Sequence, residues 1–344
     1  MKALFIGGTG TISSAISEKL LNEGHELWLI NRGNNSDRIP KGANIIIADI
    51  NNEAYVSQAI ADTSFDVVAD FIAFTPDSLE RDYRLFEGKT KQFIFISSAS
   101  AYQKPLSHYE ITESTPLSNP YWEYSRNKIK CEEYLMELYR REGFPVTIVR
   151  PSHTFCEWNI PVGLHGEKGS YQVIKRMLEG KPVLIHGDGS SLWTVTYNKD
   201  FAKGFVGLMG NVHAIGEAVQ ITSDESLTWN QIYGLIADAL NVVLKPYYVS
   251  SSFLSDAAYF DAEGGLLGDK SNTVVFDNSK LKRLVPDFCA TTRFDCVVKE
   301  CVRYILSHPE CQIEDPEFDA WCDAVIDAQN EAIRKVKEKF KGQC

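Results

Sequence analysis

The chain has 344 residues, 44% of them hydrophobic and 24% charged, with a formal net charge of −11. That is the composition of an ordinary soluble globular protein, long enough to bury a full core with a smaller lobe beside it. The acidic balance argues against a non-specific grip on nucleic-acid phosphates or anionic lipid, and no apolar run approaches the roughly 20 residues that span a bilayer.

The opening MKALFIGGTG reaches glycine too soon for a signal peptide, so a cytoplasmic protein with no membrane partner is expected. The eight cysteines are scattered, match no paired zinc spacing and read as reduced packing residues; no metal site is expected.

Six near-continuous apolar runs mark strands buried on both faces: Lys2 to Ile6, Glu26 to Ile30, Asn44 to Ala48, Asp66 to Phe71, Phe93 to Ser97 and Val146 to Arg150. Helical stretches lie between them at Thr11 to Glu23, Glu53 to Ala61, Asp77 to Phe86 and Tyr124 to Glu142. Repeated strand–helix–strand order implies an α/β fold with a doubly wound parallel sheet. After Arg150 the pattern turns irregular and predicts a smaller, interleaved α+β substrate lobe. The expected division is residues 1–152, with about 190–212, in the sheet domain, 153–189 and 213–305 in the lobe, and 306–344 as a C-terminal helical extension. Within the lobe, DAEGGLLGDK (Asp261 to Lys270) reads as a mobile loop. In the extension, Phe318, Trp321, Val325 and Ile326 fall on one side of an amphipathic helix, which packs on its own domain or forms a subunit contact.

The first strand runs straight into GGTGTIS. Gly7 serves a tight turn, Gly10 a close backbone approach to a pyrophosphate, and Ser13 stands where a third small residue lets helix and strand pack. The helix that begins at Thr11 and Ile12 offers free N–H groups to phosphate. The ribose of a dinucleotide is read at the end of the second strand, where an acidic residue favours NAD. Here that position is Asn31, followed by Arg32. A guanidinium without a carboxylate favours NADP over NAD, the alternative being that Arg32 stacks on adenine or faces solvent. Asp49 and Ile50 follow the third strand, where adenine would lie, and Phe71 ends the fourth as a further candidate cofactor contact.

The fifth strand ends in SSASAY, Ser97 to Tyr102, a cluster of hydroxyls at the mouth of a strand. Their partners are found in YSRNK, where Tyr124 and Lys128 lie one helical turn apart on one face. An ammonium beside a phenol stabilises the phenolate and lowers its pKa from the usual value of about 10. Such a phenol exchanges a proton with a substrate hydroxyl or carbonyl while hydride moves to or from nicotinamide. A second Tyr-x-x-x-Lys, Tyr171 and Lys175, comes after the sheet has ended and reads as a surface or lobe helix.

In this order GGTGTIS, FISSASAY, YSRNK and IVRPSHTF resemble the extended short-chain dehydrogenase/reductases, the NAD-dependent epimerase/dehydratase group, over about residues 1 to 305. The resemblance implies a Rossmann domain with Ser98 as catalytic serine, Tyr124 as acid/base and Lys128 holding the ribose. Pro151 and Ser152 fall where that family's chain passes the nicotinamide. It also implies a nucleotide-sugar substrate and allows a homodimer through the Tyr–Lys helix. Ser100 is a candidate second substrate hydroxyl, while Ser97 reads as structural. His153 is the one histidine near the predicted pocket, where it bonds substrate or caps the loop. Trp158 and Asn159 are candidate substrate contacts by position.

Ala99 and Ser100 occupy the positions of the Asp–Glu pair of 4,6-dehydratases, which argues against 4,6-dehydration unless Glu123 or Glu157 substitutes. The apolar DFIAFTPD also resembles the atypical branch that includes chloroplast RNA-binding relatives. Two readings follow: an NAD(P)-dependent oxidoreductase or epimerase acting on a secondary alcohol or ketone, or a nucleotide-sensing or RNA-binding member of the same fold.

Overall fold

The computed structural model describes residues 1–34 and 38–341. Contacts divide them into two compact units. The first holds residues 1–156, 194–226 and 274–293; the second holds residues 157–193, 227–273 and the described residues from Phe294 onward.

The first unit is built on a seven-stranded sheet. Five strands come from the first hundred residues: β1 (Lys2–Ile6), β2 (Glu26–Asn31), β3 (Asn44–Ile47), β4 (Val67–Asp70) and β5 (Phe93–Ile96). The strand order is β3-β2-β1-β4-β5, then Val146–Pro151 and Ala218–Ile221, and every pairing is parallel. Consecutive side chains leave a strand on opposite faces, so a strand covered on both sides is apolar along nearly its whole length. In β1, Ala3 and Phe5 join a core with Ala15, Ile16 and Leu20 of α1 (Thr11–Asn22) and with Phe201 and Phe205. Leu4 and Ile6 point the other way. They meet Val56 of α2 (Glu53–Ala59), Leu79 and Phe86 of α3 (Pro76–Phe86), and Cys131 and Leu135 of α4 (Glu123–Glu142).

The register aligns the carboxyl ends of the central strands. Ile6 lies opposite Asp70, Asp70 opposite Phe95, and Ile96 opposite Val149. The turns after β1, β4 and β5 therefore leave from one edge of the sheet, where doubly wound folds gather their chemistry.

The boundaries differ from the sequence expectation in one main respect. Residues 218–221, assigned there to the lobe, pair with Val146–Pro151 as an edge strand of the large sheet, reached through the helix Asn198–Leu208. Residues 274–293 belong to this unit too. This is one more strand–helix–strand step, hidden in the sequence by the irregular segment before it.

In the second unit, strands Val183–His186 and Pro246–Val249 pair in parallel. The Gly-rich segment expected to be a mobile loop is a helical turn, Ala262–Gly265, running into a wider turn, Leu266–Lys270. Asp261 caps it by accepting from Gly264 N–H at 3.0 Å, and the Lys270 carbonyl accepts from Trp229 Nε1 at 3.0 Å. Small residues let this segment bury itself. The helix Pro316–Lys339 buries Phe318, Cys322, Val325 and Ile326 within the unit, and Trp321 Nε1 donates to the Ala257 carbonyl at 2.9 Å. Among the described residues no helix is long and apolar enough to cross a membrane.

Candidate active site

The turn after β1 has little room for any residue but glycine. Gly7 and Gly8 have φ of +102° and +101°, a region L side chains rarely adopt. A Cβ on Gly8 would sit 2.6 Å from Leu29 Cδ2 of β2, and one on Gly7 3.2 Å from Ile72 Cγ2. Sequence reasoning assigned a role to Gly7 and Gly10 but not to Gly8. Ser13 Oγ accepts from Gly10 N–H at 2.9 Å and Ser17 Oγ donates to the Gly8 carbonyl at 3.2 Å, so both serines tie the first turns of α1 to the loop.

A cleft of about 450 Å³ opens beside this turn. Of the expected cofactor contacts, Gly7, Asn31, Arg32, Asp49 and Ile50 line it. Its other walls are Thr9, Asn51, Ile72, Phe74, Ser78 and Arg81, among others, none of which the sequence reading marked. Asn31 accepts from Gly33 N–H at 2.9 Å, while its buried Nδ2 has no partner among the described residues. An orphaned donor in a cleft closed by a glycine turn fits a nucleotide with acceptor oxygens.

Arg81 braces the far wall. Its Nη1 donates to Asn51 Oδ1 at 2.7 Å, its Nη2 to Asp82 Oδ1 at 2.7 Å and to Asp70 Oδ2 at 3.4 Å. Burial, and then the charge of Asp70, hold the Asp82 carboxyl well above the usual carboxylate range. Asp70 Oδ1 also accepts from the N–H groups of Ile72 and Ala73, at 2.5 and 2.8 Å, which shapes the chain leaving β4.

The remaining expected cofactor residues lie outside that cleft lining. Gly10 caps α1, the Thr11 carbonyl accepts from Asn198 Nδ2 at 3.1 Å, and Ile12 packs against the core. The Phe71 ring packs on Phe5 and Phe205, so its side chain belongs to the core. Pro151 is buried at the end of its strand, and Ser152 Oγ donates to the Thr194 carbonyl at 3.1 Å.

α4 carries the other half of the site. Asn119 Oδ1 accepts from the N–H groups of Tyr121 and Trp122, both at 3.2 Å, and Asn119 Nδ2 donates to the Ser100 carbonyl at 2.9 Å. One buried amide thus joins the start of the helix to the hydroxyl turn after β5. Lys128 is 2% exposed. Its Nζ donates to the carbonyls of Ala73 and Ile96, each at 2.7 Å, and lies 4.7 Å from the ring centres of Phe74 and Phe95 and 5.7 Å from that of Tyr124. Burial pulls the ammonium down from 10.5 to about 8. Two of its three N–H groups are used by these carbonyls. The Tyr124 ring stands 4.9 Å from Trp122 and 6.1 Å from Phe74.

The hydroxyls after β5 divide into roles. Ser97 Oγ is buried and donates to Glu132, which also pairs with Arg150. Ser98 is half-buried, and Ser100, 3% exposed, accepts from Ser125 Oγ and lies within hydrogen-bond distance of Ser98 Oγ. Ser100, expected as a second substrate hydroxyl, is held here between two protein hydroxyls. Ser125 was missed because a lone serine inside YSRNK carries no pattern. His153 is half-buried on a short strand paired with Val195–Tyr197. Trp158 and Asn159 are half-buried residues of the second unit. There too, Tyr171 Oη donates to Gln312 and Lys175 pairs with Glu314 at 2.6 Å, so the second Tyr-x-x-x-Lys lies on a helix of the second unit, Tyr171–Leu178. Among the described residues no cluster of ligands suits a metal ion.

The chain is 30% identical over 153 residues to an uncharacterized UDP-glucose epimerase, YtcB, of Bacillus subtilis, covering 44% of this chain and 46% of that one. It is 25% identical over 254 residues to the chloroplast stem-loop binding protein of 41 kDa b of Arabidopsis thaliana, covering 69% and 63%. The matched regions thus span about half to two thirds of these relatives. In fold it is similar to the crystal structure of a UDP-glucuronic acid 4-epimerase from Bacillus cereus in complex with NAD, with a TM-score of 0.69 at 21% identity over 89% of this chain and 99% of that one. The family model for the NAD dependent epimerase/dehydratase family matches residues 3–222, which hold the glycine turn, the hydroxyl turn and the Tyr–Lys helix alike. The chain belongs to that family, whose enzymes are of the short-chain dehydrogenase/reductase type.

Proposed function

We propose that this chain is an NAD(P)-dependent oxidoreductase or epimerase that acts on a secondary alcohol, or its ketone, of a nucleotide sugar, with a UDP-hexose as the favoured class. The observation that carries the reading is the position of Lys128, a buried cation 5.7 Å from the Tyr124 ring and bonded to the turn after β4 and the end of β5. The glycine turn, Asn31 and Lys128 would hold the dinucleotide. When bound, NAD(P) supplies the nicotinamide that accepts or returns a hydride.

Every other task falls to side chains. Tyr124 takes the proton of the substrate hydroxyl on oxidation and returns it on reduction. Lys128, charged below about pH 8, favours the phenolate of Tyr124 through its field, and the low-dielectric surroundings strengthen that effect. Ser98 holds the substrate oxygen by a hydrogen bond. Arg32 on the cleft wall, with Asn31 in place of a carboxylate, supports NADP over NAD. The UDP-hexose assignment draws on the name of the B. subtilis protein, and the B. cereus name supports a UDP-sugar more broadly.

Incubating the protein with UDP-glucose, after identifying any nucleotide that copurifies, tests the reading. A new UDP-hexose with tightly retained nucleotide indicates epimerisation; reduced nucleotide released to solution indicates a dehydrogenase. The competing reading, RNA binding, draws on the printed name of the A. thaliana relative. Steeply salt-dependent RNA binding without any nicotinamide nucleotide binding would favour it instead.

A further inference from the structure

The functional reading uses only one end of a row of three hydroxyls. Ser125 Oγ, fully buried in the first turn of α4, donates to Ser100 Oγ at 2.7 Å. Ser100 Oγ lies 2.9 Å from Ser98 Oγ, which also accepts the Ser100 N–H at 3.1 Å. The Ser100 main chain is itself pinned by Asn119.

A hydroxyl has one hydrogen and two acceptor positions. Ser100 accepts from Ser125, so its own hydrogen needs an acceptor, and a buried O–H left without one is costly. The acceptor within reach is Ser98 Oγ. Ser98 then accepts twice, from the N–H and the O–H of Ser100, and both of its acceptor positions are filled. Its own hydrogen is left over, with no other partner among the described residues, and Ser98 is the half-exposed member of the row.

We propose that Ser125 and Ser100 form a one-way hydroxyl relay that makes Ser98 an obligate hydrogen-bond donor to the reacting oxygen. The identity of that oxygen rests on the functional reading above; the direction of the relay does not. Ser98 cannot serve as a proton acceptor, so proton transfer belongs to Tyr124 alone. A fixed donor acts most strongly where negative charge develops on oxygen, at the carbonyl or alkoxide, and less on the neutral alcohol. Ser100 and Ser125 are positioning residues, with Ser98 the group that touches substrate.

Two experiments test this. Neutron diffraction of the perdeuterated protein reads the direction itself. The relay places the Ser100 deuteron on the line to Ser98 Oγ and turns the Ser98 deuteron away from Ser100; a Ser98 deuteron aimed at Ser100 Oγ overturns it. The second is a kinetic cycle with UDP-glucose. Ser125→Ala and Ser100→Ala should each lower kcat about tenfold, the rate equivalent of one hydrogen bond, with KM within about twofold. In a Ser98→Ala background neither should cost more than about twofold. Full, additive losses in that background would mean that both serines act on the fold, and would overturn the proposal. If Ser125→Ala does not fold, the Ser100→Ala arm decides. Absence of turnover in the parent protein, with deuterons placed as described, removes the functional reading and leaves the relay standing.

Discussion

The Lys128 ammonium donates to the main-chain carbonyl of Ile96 at 2.7 Å, two residues before Ser98. The same nitrogen holds the Ala73 carbonyl, so one side chain of α4 joins the end of β5 to the turn that leaves β4. The lysine is thus a structural clamp and, one turn from Tyr124, the charge that we propose acts on the phenol. Its burial sets both its energetics and its titration.

That burial has a measurable sign. The Lys128 pKa falls from 10.5 to about 8, so between those values the unfolded chain binds more protons than the folded one. Stability from this group therefore rises with pH across the window and is lost as pH falls through about 8. Urea unfolding of the parent protein and Lys128→Met, compared from pH 7.5 to pH 10.5, should show the parent gaining on the variant as pH rises. A constant difference over the range would contradict a depressed pKa.

Arg32 lines the cleft next to Asn31, whose amide has a buried, unpaired donor. Arg32→Ala should weaken NADP binding by roughly 10- to 100-fold, the worth of one charge-assisted contact, and NAD binding by no more than about twofold. Titration calorimetry with both nucleotides checks this. Equal losses would remove the case for a 2′-phosphate contact.

Gly8→Ala should destabilise the protein by about 1–3 kcal/mol and weaken dinucleotide binding, because it forces φ near +101° on an L residue and drives a Cβ into Leu29. Thermal unfolding with and without NAD reads both effects. An unchanged melting temperature would show that the turn relaxes freely.

Much of this was open to sequence reading, for physical reasons. β1 was bounded at both ends because a strand covered on two faces reads as a near-continuous apolar run, here Ala3 to Ile6 after Lys2, and the glycine turn followed because a pyrophosphate cradle has strict steric needs. Tyr124 and Lys128 were separable from Tyr171 and Lys175 by their place after the fifth strand. Arg81, Asn51 and Phe74 were not visible as cleft walls, since they come from segments after β3 and β4 that only the pairing of β3, β2, β1 and β4 brings together. Ser125 was equally silent, because its role depends on Ser100 across a tertiary contact. The Gly-rich segment in the second unit looked mobile because its order comes from a distant bond, Trp229 to the Lys270 carbonyl.

Everything proposed about chemistry depends on the Tyr124 phenol moving a proton as hydride moves on nicotinamide. Turnover of UDP-glucose by the parent protein and by Tyr124→Phe, at matched and saturating NAD or NADP, measures that dependence directly. The account predicts a fall in kcat of about 10²- to 10⁴-fold with nucleotide affinity within about threefold. Full activity in the variant would contradict it and assign the proton to another group.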